Sequence, residues 1–182
     1  MWLVVRLWPA GIGPEYWYQI LLVVSEGLVA AFLVFRRSTA SISMRPWDWA
    51  IAVAGTFLPL LVVPGGDSFL HPVGPLLILL GTLIHLGAKL SLRRSFGLVA
   101  ANRGVQKTGM YRLVRHPMYA GYMLTHLGFV CAAPAWWNVT VYAAAWLLLV
   151  LRILAEERLL LKDEAYASYA GSVRFRLLPF VF

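Results

Sequence analysis

Apolar residues along this chain gather into five long runs, and the polar residues collect in the gaps between them. The first run extends from about Tyr16 to Phe35 and stops at Arg36-Arg37. The second, Trp47 to Val63, opens after Arg45-Pro46 and ends at the turn Pro64-Gly65-Gly66-Asp67. The third runs from Pro72 to Leu92 and closes on Arg93-Arg94. A polar connection, Ser95 to Arg115, leads to a short fourth run, Pro117 to Ala133. Pro134-Ala135-Trp136-Trp137 joins it to a fifth, Asn138 to Leu154. Helices that cross a bilayer need about 20 apolar residues each, so the pattern predicts about five transmembrane helices in an all-α integral membrane protein. The fourth run is short for an upright span, which predicts a helical hairpin with the fifth. The fifth helix is expected to continue to about Leu161, because Ala, Glu, Arg and Leu favour helix and no Gly or Pro interrupts them.

Composition agrees with this pattern. Of 182 residues, 60% are hydrophobic and 13% charged, where a soluble domain carries about a quarter charged. Mean hydropathy is +0.72. Met1 to Trp8 lacks a basic stretch followed by an apolar core, and Pro9 to Pro14 interrupts it, so no cleavable signal peptide is expected. Arg36, Arg37 and Arg45 lie in the first connection. Lys89, Arg93, Arg94, Arg103, Lys107, Arg112 and Arg115 lie in or beside the third. Arg152, Arg158, Lys162, Arg174 and Arg176 lie at or beyond the end of the last run, while the second and fourth connections hold no Lys or Arg. The positive-inside rule then puts the N-terminus outside and the C-terminus in the cytoplasm of a bacterial-type inner (plasma) membrane. Trp47, Trp49, Trp136 and Trp137 suit the interfacial belts. A net charge of +8 therefore points to anionic lipid or an anionic substrate as partner, with no nucleic acid. Cys131 is the single cysteine, which excludes an internal disulfide and a cysteine metal cluster.

The candidate chemistry lies where the basic loop enters the fourth run, at Arg115-His116-Pro117-Met118-Tyr119-Ala120-Gly121. Pro117 suits the first turn of a helix, where its missing N–H is no loss. His116 then falls at the cap, and the free amides with Arg115 and Arg112 attract an anion such as a carboxylate. Tyr111 and Tyr119 add rings and hydroxyls. An interfacial anchor would need charge alone, whereas this stretch combines charge, imidazole and phenol. Arg152 and Glu156 stand four residues apart on one helix face, in the weaker order for helix stabilisation, and can grip a zwitterion or two ligands of opposite charge. The glycine-bearing loop from Ser95 to Gly109 can bring backbone close to a ligand, but it carries neither a dinucleotide nor a P-loop signature. His71, His85 and His126 show no metal-ligand spacing and read as interior histidines. Glu26, within the first run, either pairs across helices or marks a cavity.

Taken in order, these motifs resemble those of the isoprenylcysteine carboxyl methyltransferase family, with phospholipid N-methyltransferases as more distant relatives. The resemblance covers Ser95 to Phe182. It rests on Gly109-x-Tyr111, Arg115-His116-Pro117-x-Tyr119-x-Gly121, Arg152-x-x-x-Glu156-Glu157, then Tyr166, Tyr169, Val173-Arg174 and Leu178-Pro179. It implies an S-adenosylmethionine pocket formed by C-terminal helices and cytoplasmic loops, and one membrane domain, 1–182, with N-terminal spans in 1–94 and a cofactor-binding catalytic half in 95–182. It also implies that Arg103, Gly104, Val105, Gln106, Tyr111, His116, Pro117, Met118, Tyr119 and Glu156 line the cofactor, and that Arg152 holds a substrate carboxylate. No contact is carried over around Ala100, where the loop is shorter than in eukaryotic members. The substrate so implied is a lipophilic or lipidated carboxylate entering from the bilayer. An NADPH-dependent membrane reductase and a non-catalytic membrane scaffold are the competing readings; the first would need added basic residues for a 2′-phosphate.

Overall fold

The computed structural model describes residues 41–63, 73–92 and 99–179, with positions 31, 34, 35, 38, 39, 95, 97 and 181. Nearly all of the expected first span, with Glu26, lies outside the described residues, as do the turn Pro64 to Asp67, His71 and Arg93-Arg94.

Pro46 opens α1 (Pro46–Phe57) from an extended Arg45. Pro59 has no N–H to continue an α-helix, and the chain tightens there into one turn of 3-10 helix, Leu58–Leu61. Next come α2 (Val73–Leu92), α3 (Pro117–Ala132), α4 (Trp136–Leu160) and α5 (Glu164–Ser172). Asp163 caps α5 by accepting from the Ala165 N–H at 2.8 Å, satisfying one of the orphan donors of a helix start. Two of these helices, α2 and α4, are long and apolar enough to cross a membrane. The 12 and 16 residues of α1 and α3 fall short of the usual length.

The hairpin expectation needs correction. Helices α3 and α4 do follow one another around the short turn at Ala133 to Ala135, but α3 packs along α2 and touches α4 far less. Glycine placement is the reason. A Cβ on Gly81 would lie 2.5 Å from the Thr125 hydroxyl, and one on Gly121 would lie 2.5 Å from the His85 nitrogen. Two turns away, a Cβ on Gly128 would meet the Gly74 carbonyl at 2.7 Å. Small residues on both faces bring the backbones together, a common way of packing helices where no hydrophobic effect drives them.

Helix α1 packs on α4 and is fastened at both ends. At one end Arg158 Nη2 donates to both Asp48 oxygens, at 2.7 and 3.0 Å, and the Ser43 hydroxyl donates to the same carboxylate. At the other, the fully buried Asn138 amide accepts from Val63 N–H and donates to its carbonyl, each at 2.9 Å. Trp137 Nε1 donates to the Leu61 carbonyl beside it. The outer faces keep Leu76, Leu80, Leu83 and Leu90 of α2, and Leu147 and Leu154 of α4, exposed.

Two strips outside the helices position the site. Residues Ser41 to Ser43 pair with Ala100 to Asn102 through two backbone bonds of 2.9 Å. After α5 the chain returns, and the N–H groups of Arg115 and His116 donate to the carbonyls of Phe175 and Arg176 at 2.9 and 2.8 Å. This pairing fixes the angle at which the loop enters α3.

Candidate active site

A single 3-10 turn, Gly109–Arg112, precedes α3. Gly109 has φ +61°, and a Cβ there would sit 2.6 Å from the Ser91 hydroxyl, so this turn needs glycine both for its backbone and for its closeness to the end of α2. The turn drives Tyr111 inward, against Ala88, Met118, Tyr119, Leu149, Ile153 and Leu177. The Tyr169 hydroxyl donates to the Tyr111 carbonyl at 2.6 Å and locks α5 over the turn.

His116 is the N-cap of α3 with Pro117 behind it, as the sequence predicts, and its side chain makes no cap bond. Its ring is turned instead toward two adjacent carboxylates on α4. Nε2 lies 3.2 Å from Glu157 and Nδ1 lies 3.8 Å from Glu156. Glu157 is 3% exposed and lies between two guanidiniums, Arg115 Nε at 3.2 Å and Arg176 Nε at 2.7 Å, with the His116 imidazole beside it. Glu156, on the next position, accepts from the Tyr119 hydroxyl and from Arg152 Nε at 3.3 Å. The Arg152 guanidinium also lies over the Tyr119 ring, 5.3 Å from its centroid, a cation–π geometry.

Of these groups Arg115, His116, Tyr119 and Glu156 edge a cavity of about 760 Å³, counting its open mouth, between the loop after α2 and the ends of α3, α4 and α5. Nine sequence-selected residues line it: Arg103, Gly104, Val105, Gln106, Tyr111, His116, Met118, Tyr119 and Glu156. Pro117 is buried at the helix start behind the wall, and Arg152 lies one turn deeper along α4, off the wall. Gln106 spends its amide N–H on the Ser91 carbonyl, so it anchors the loop to α2 as well as facing the cavity. Gly97 leaves room for the Arg103 guanidinium, whose Nη1 would be 2.2 Å from a Cβ at that position.

The sequence reading missed part of this wall. Val99 and Ala101 face the cavity, although no contact was expected around Ala100; the pairing with Ser41 to Ser43 and the Asn102–Asp163 hydrogen bond hold that strip in place, and a sequence pattern does not announce either. Arg115, Tyr166 and Tyr169 also line the cavity. Glu157 was quoted in a motif but given no role, although an acid directly after Glu156 and a basic tail to pair with it were signals enough. The Tyr169 hydroxyl is pushed up to about 12, chiefly by burial, and burial also raises Tyr111 and Tyr166. All three phenols are therefore neutral hydrogen-bond donors near neutral pH.

Apolar helices ending around a polar cavity, with paired carboxylates beside guanidiniums, are an arrangement suited to a membrane protein that handles a small molecule. The model of the phospholipid methyltransferase family matches residues 69–167, more than half of the chain, and the protein belongs to that family. It is a membrane methyltransferase. Its fold is similar to that of a eukaryotic intramembrane Ras methyltransferase, isoprenylcysteine carboxyl methyltransferase. The TM-score is 0.61 at 18% identity, over 98% of this chain and 68% of that one. Among curated proteins, no sequence matches this chain.

Proposed function

We propose that this protein is an S-adenosylmethionine-dependent methyltransferase that O-methylates the carboxylate of a lipophilic, isoprenylcysteine-like or lipid substrate. The cavity suits such a donor. Its wall carries Glu156 for an ammonium, the start of α3 with Arg115 for a carboxylate, the rings of Tyr111 and Tyr119 for a purine, and a buried Tyr166 hydroxyl with unfilled hydrogen-bonding capacity. When bound, the donor supplies an electrophilic methyl on a sulfonium sulfur. A carboxylate substrate is ionised already, so the chain has no proton to remove. Its work is to align the two reactants and to exclude water.

The observation that carries the substrate assignment is Arg152. It is 7% exposed, near the end of an apolar helix, and held in place by Glu156 and the Tyr119 ring. An intramembrane arginine marks a functional site by default, and its planar fork matches a carboxylate. An amine would be repelled there. The distribution of Arg and Lys supports an orientation with the N-terminus outside and the cavity on the cytoplasmic side.

The family match favours a second reading, N-methylation of a phospholipid amine. Calorimetry of detergent-purified protein tests the donor: S-adenosylhomocysteine should bind the wild type and bind Glu156→Ala at least about tenfold more weakly, the loss expected for a charged hydrogen bond, while NADPH should not bind. Binding of NADPH alone would overturn the assignment. Methyl-labelled donor then separates the acceptors in membranes. A carboxyl methyl ester releases its label as methanol in alkali, whereas an N-methyl group keeps it.

A further inference from the structure

We infer that the Tyr166 hydroxyl, acting with Arg115, binds the amino-acid carboxylate of the methyl donor and so sets which way round the donor lies in the cavity. The inference rests on the proposed use of S-adenosylmethionine and assigns one end of that molecule to one wall.

Tyr166 belongs to α5, is 5% exposed and lines the cavity, yet its hydroxyl has no hydrogen-bond partner among the described residues. A buried hydroxyl without a partner is costly and uncommon. Tyr169, one turn away with its ring 5.6 Å off and edge-on, has no such vacancy because it donates to the Tyr111 carbonyl. Arg115 lines the same wall. Its Nε sits 3.2 Å from Glu157 but outside hydrogen-bonding geometry, and its Nη2 donates to the Arg174 carbonyl at 3.3 Å. Two buried donors with unfilled capacity, one of them cationic, thus share a wall with the N-terminus of α3. Donors beside a guanidinium and a helix start select an anion. A ribose hydroxyl would require no charge. Burial keeps the phenol protonated, so it donates. Glu157 does not supply the anion the phenol lacks, since Arg115, His116 and Arg176 already converge on it.

The test uses the full chain in detergent, Tyr166→Phe beside the wild type, and two ligands: S-adenosylhomocysteine and its decarboxylated analogue, which keeps the amine. Calorimetry should show Tyr166→Phe weakening S-adenosylhomocysteine about tenfold, as expected for a hydrogen bond to a charged group. The decarboxylated analogue should lose less than about twofold, because it has no charged partner for the phenol. The melting temperature should stay unchanged, since no protein bond is removed. Equal weakening of both ligands, no weakening of either, or a lowered melting temperature would overturn the inference. If the wild type binds neither ligand, the donor assignment itself falls, and the wild-type titration alone reveals that.

Discussion

Glu157→Gln is the most demanding perturbation of this architecture, because it removes a single charge and little volume. The Glu157 side chain is 3% exposed, and two of its partners, Arg115 and His116, are 8% and 6% exposed. Removing one member of a buried ion cluster strands the others, at a cost of about 3–5 kcal/mol. Arg176 is 32% exposed and can turn toward water, and the new amide can still accept a hydrogen bond. The lower end of that range, about 3 kcal/mol, is therefore expected. In a chain of this size each kcal/mol moves the melting temperature by about 2–4 °C, so the midpoint should fall by about 6–12 °C. Intrinsic tryptophan fluorescence of detergent-purified protein during heating reads it. Arg115→Met should by itself destabilise the protein, and combined with Glu157→Gln it should cost less than the sum, by about 1–3 kcal/mol of coupling. A fall under about 2 °C, or strict additivity of the pair, would mean that the carboxylate does not hold the loop, the tail and α4 together.

Two further outcomes follow from the packing and the caps. Gly121→Ala places a methyl 2.5 Å from the His85 nitrogen and 2.8 Å from the Gly81 carbonyl; α2 and α3 must part, so the melting midpoint should drop by the equivalent of about 1–3 kcal/mol or more, and an unchanged midpoint would contradict the close approach. The Asp163 carboxyl is held below its usual 3.8 by the Asn102 side-chain amide, 2.6 Å away, and by the Ala165 N–H. Its contribution is therefore complete above the usual carboxylate value and vanishes as pH falls through the lowered one. The melting advantage of wild type over Asp163→Asn should shrink below about pH 4, and parallel curves would refute the linkage.

Much of this molecule is legible in local pattern. Pro46 and Pro117 announce helix starts, the unbroken run to Leu160 announces a long α4, and the Arg152–Glu156 pair follows from a spacing of four. The residues around His116 could be picked because charge, imidazole and phenol together at an apolar border are costly without a use. What local pattern does not carry is choice of partner. The short turn at Ala133 to Ala135 makes α3 and α4 look like a hairpin, but Gly74, Gly81, Gly121 and Gly128 decide in favour of α2. Their two-turn spacing was visible, though each glycine alone reads as indifferent. The contribution of Val99 and Ala101 depends on a two-bond pairing with residues nearly sixty positions earlier, and nothing local encodes it.

On the proposed function, the arrangement would let one small chain bring together reactants of opposite solubility. On the proposed reading, the donor pocket is walled by the loop after α2, the start of α3 and α5, which all lie at the ends of the apolar helices. Arg152 sits one helical turn deeper, and the buried Tyr119 ring beneath its guanidinium also forms part of the cavity wall. Glu156 bonds both Tyr119 and Arg152, so the group proposed for the donor's ammonium also holds the group proposed for the acceptor's carboxylate. A shift of either partner must then move the other. Such coupling demands rigid support, because small displacements of reacting groups cost large factors in rate. The support is present on three sides: the glycine-close α2–α3 contact fixes Tyr119, the Glu157 cluster fixes the start of α3 against α4, and the Asp48–Arg158 clasp fixes α4 against α1.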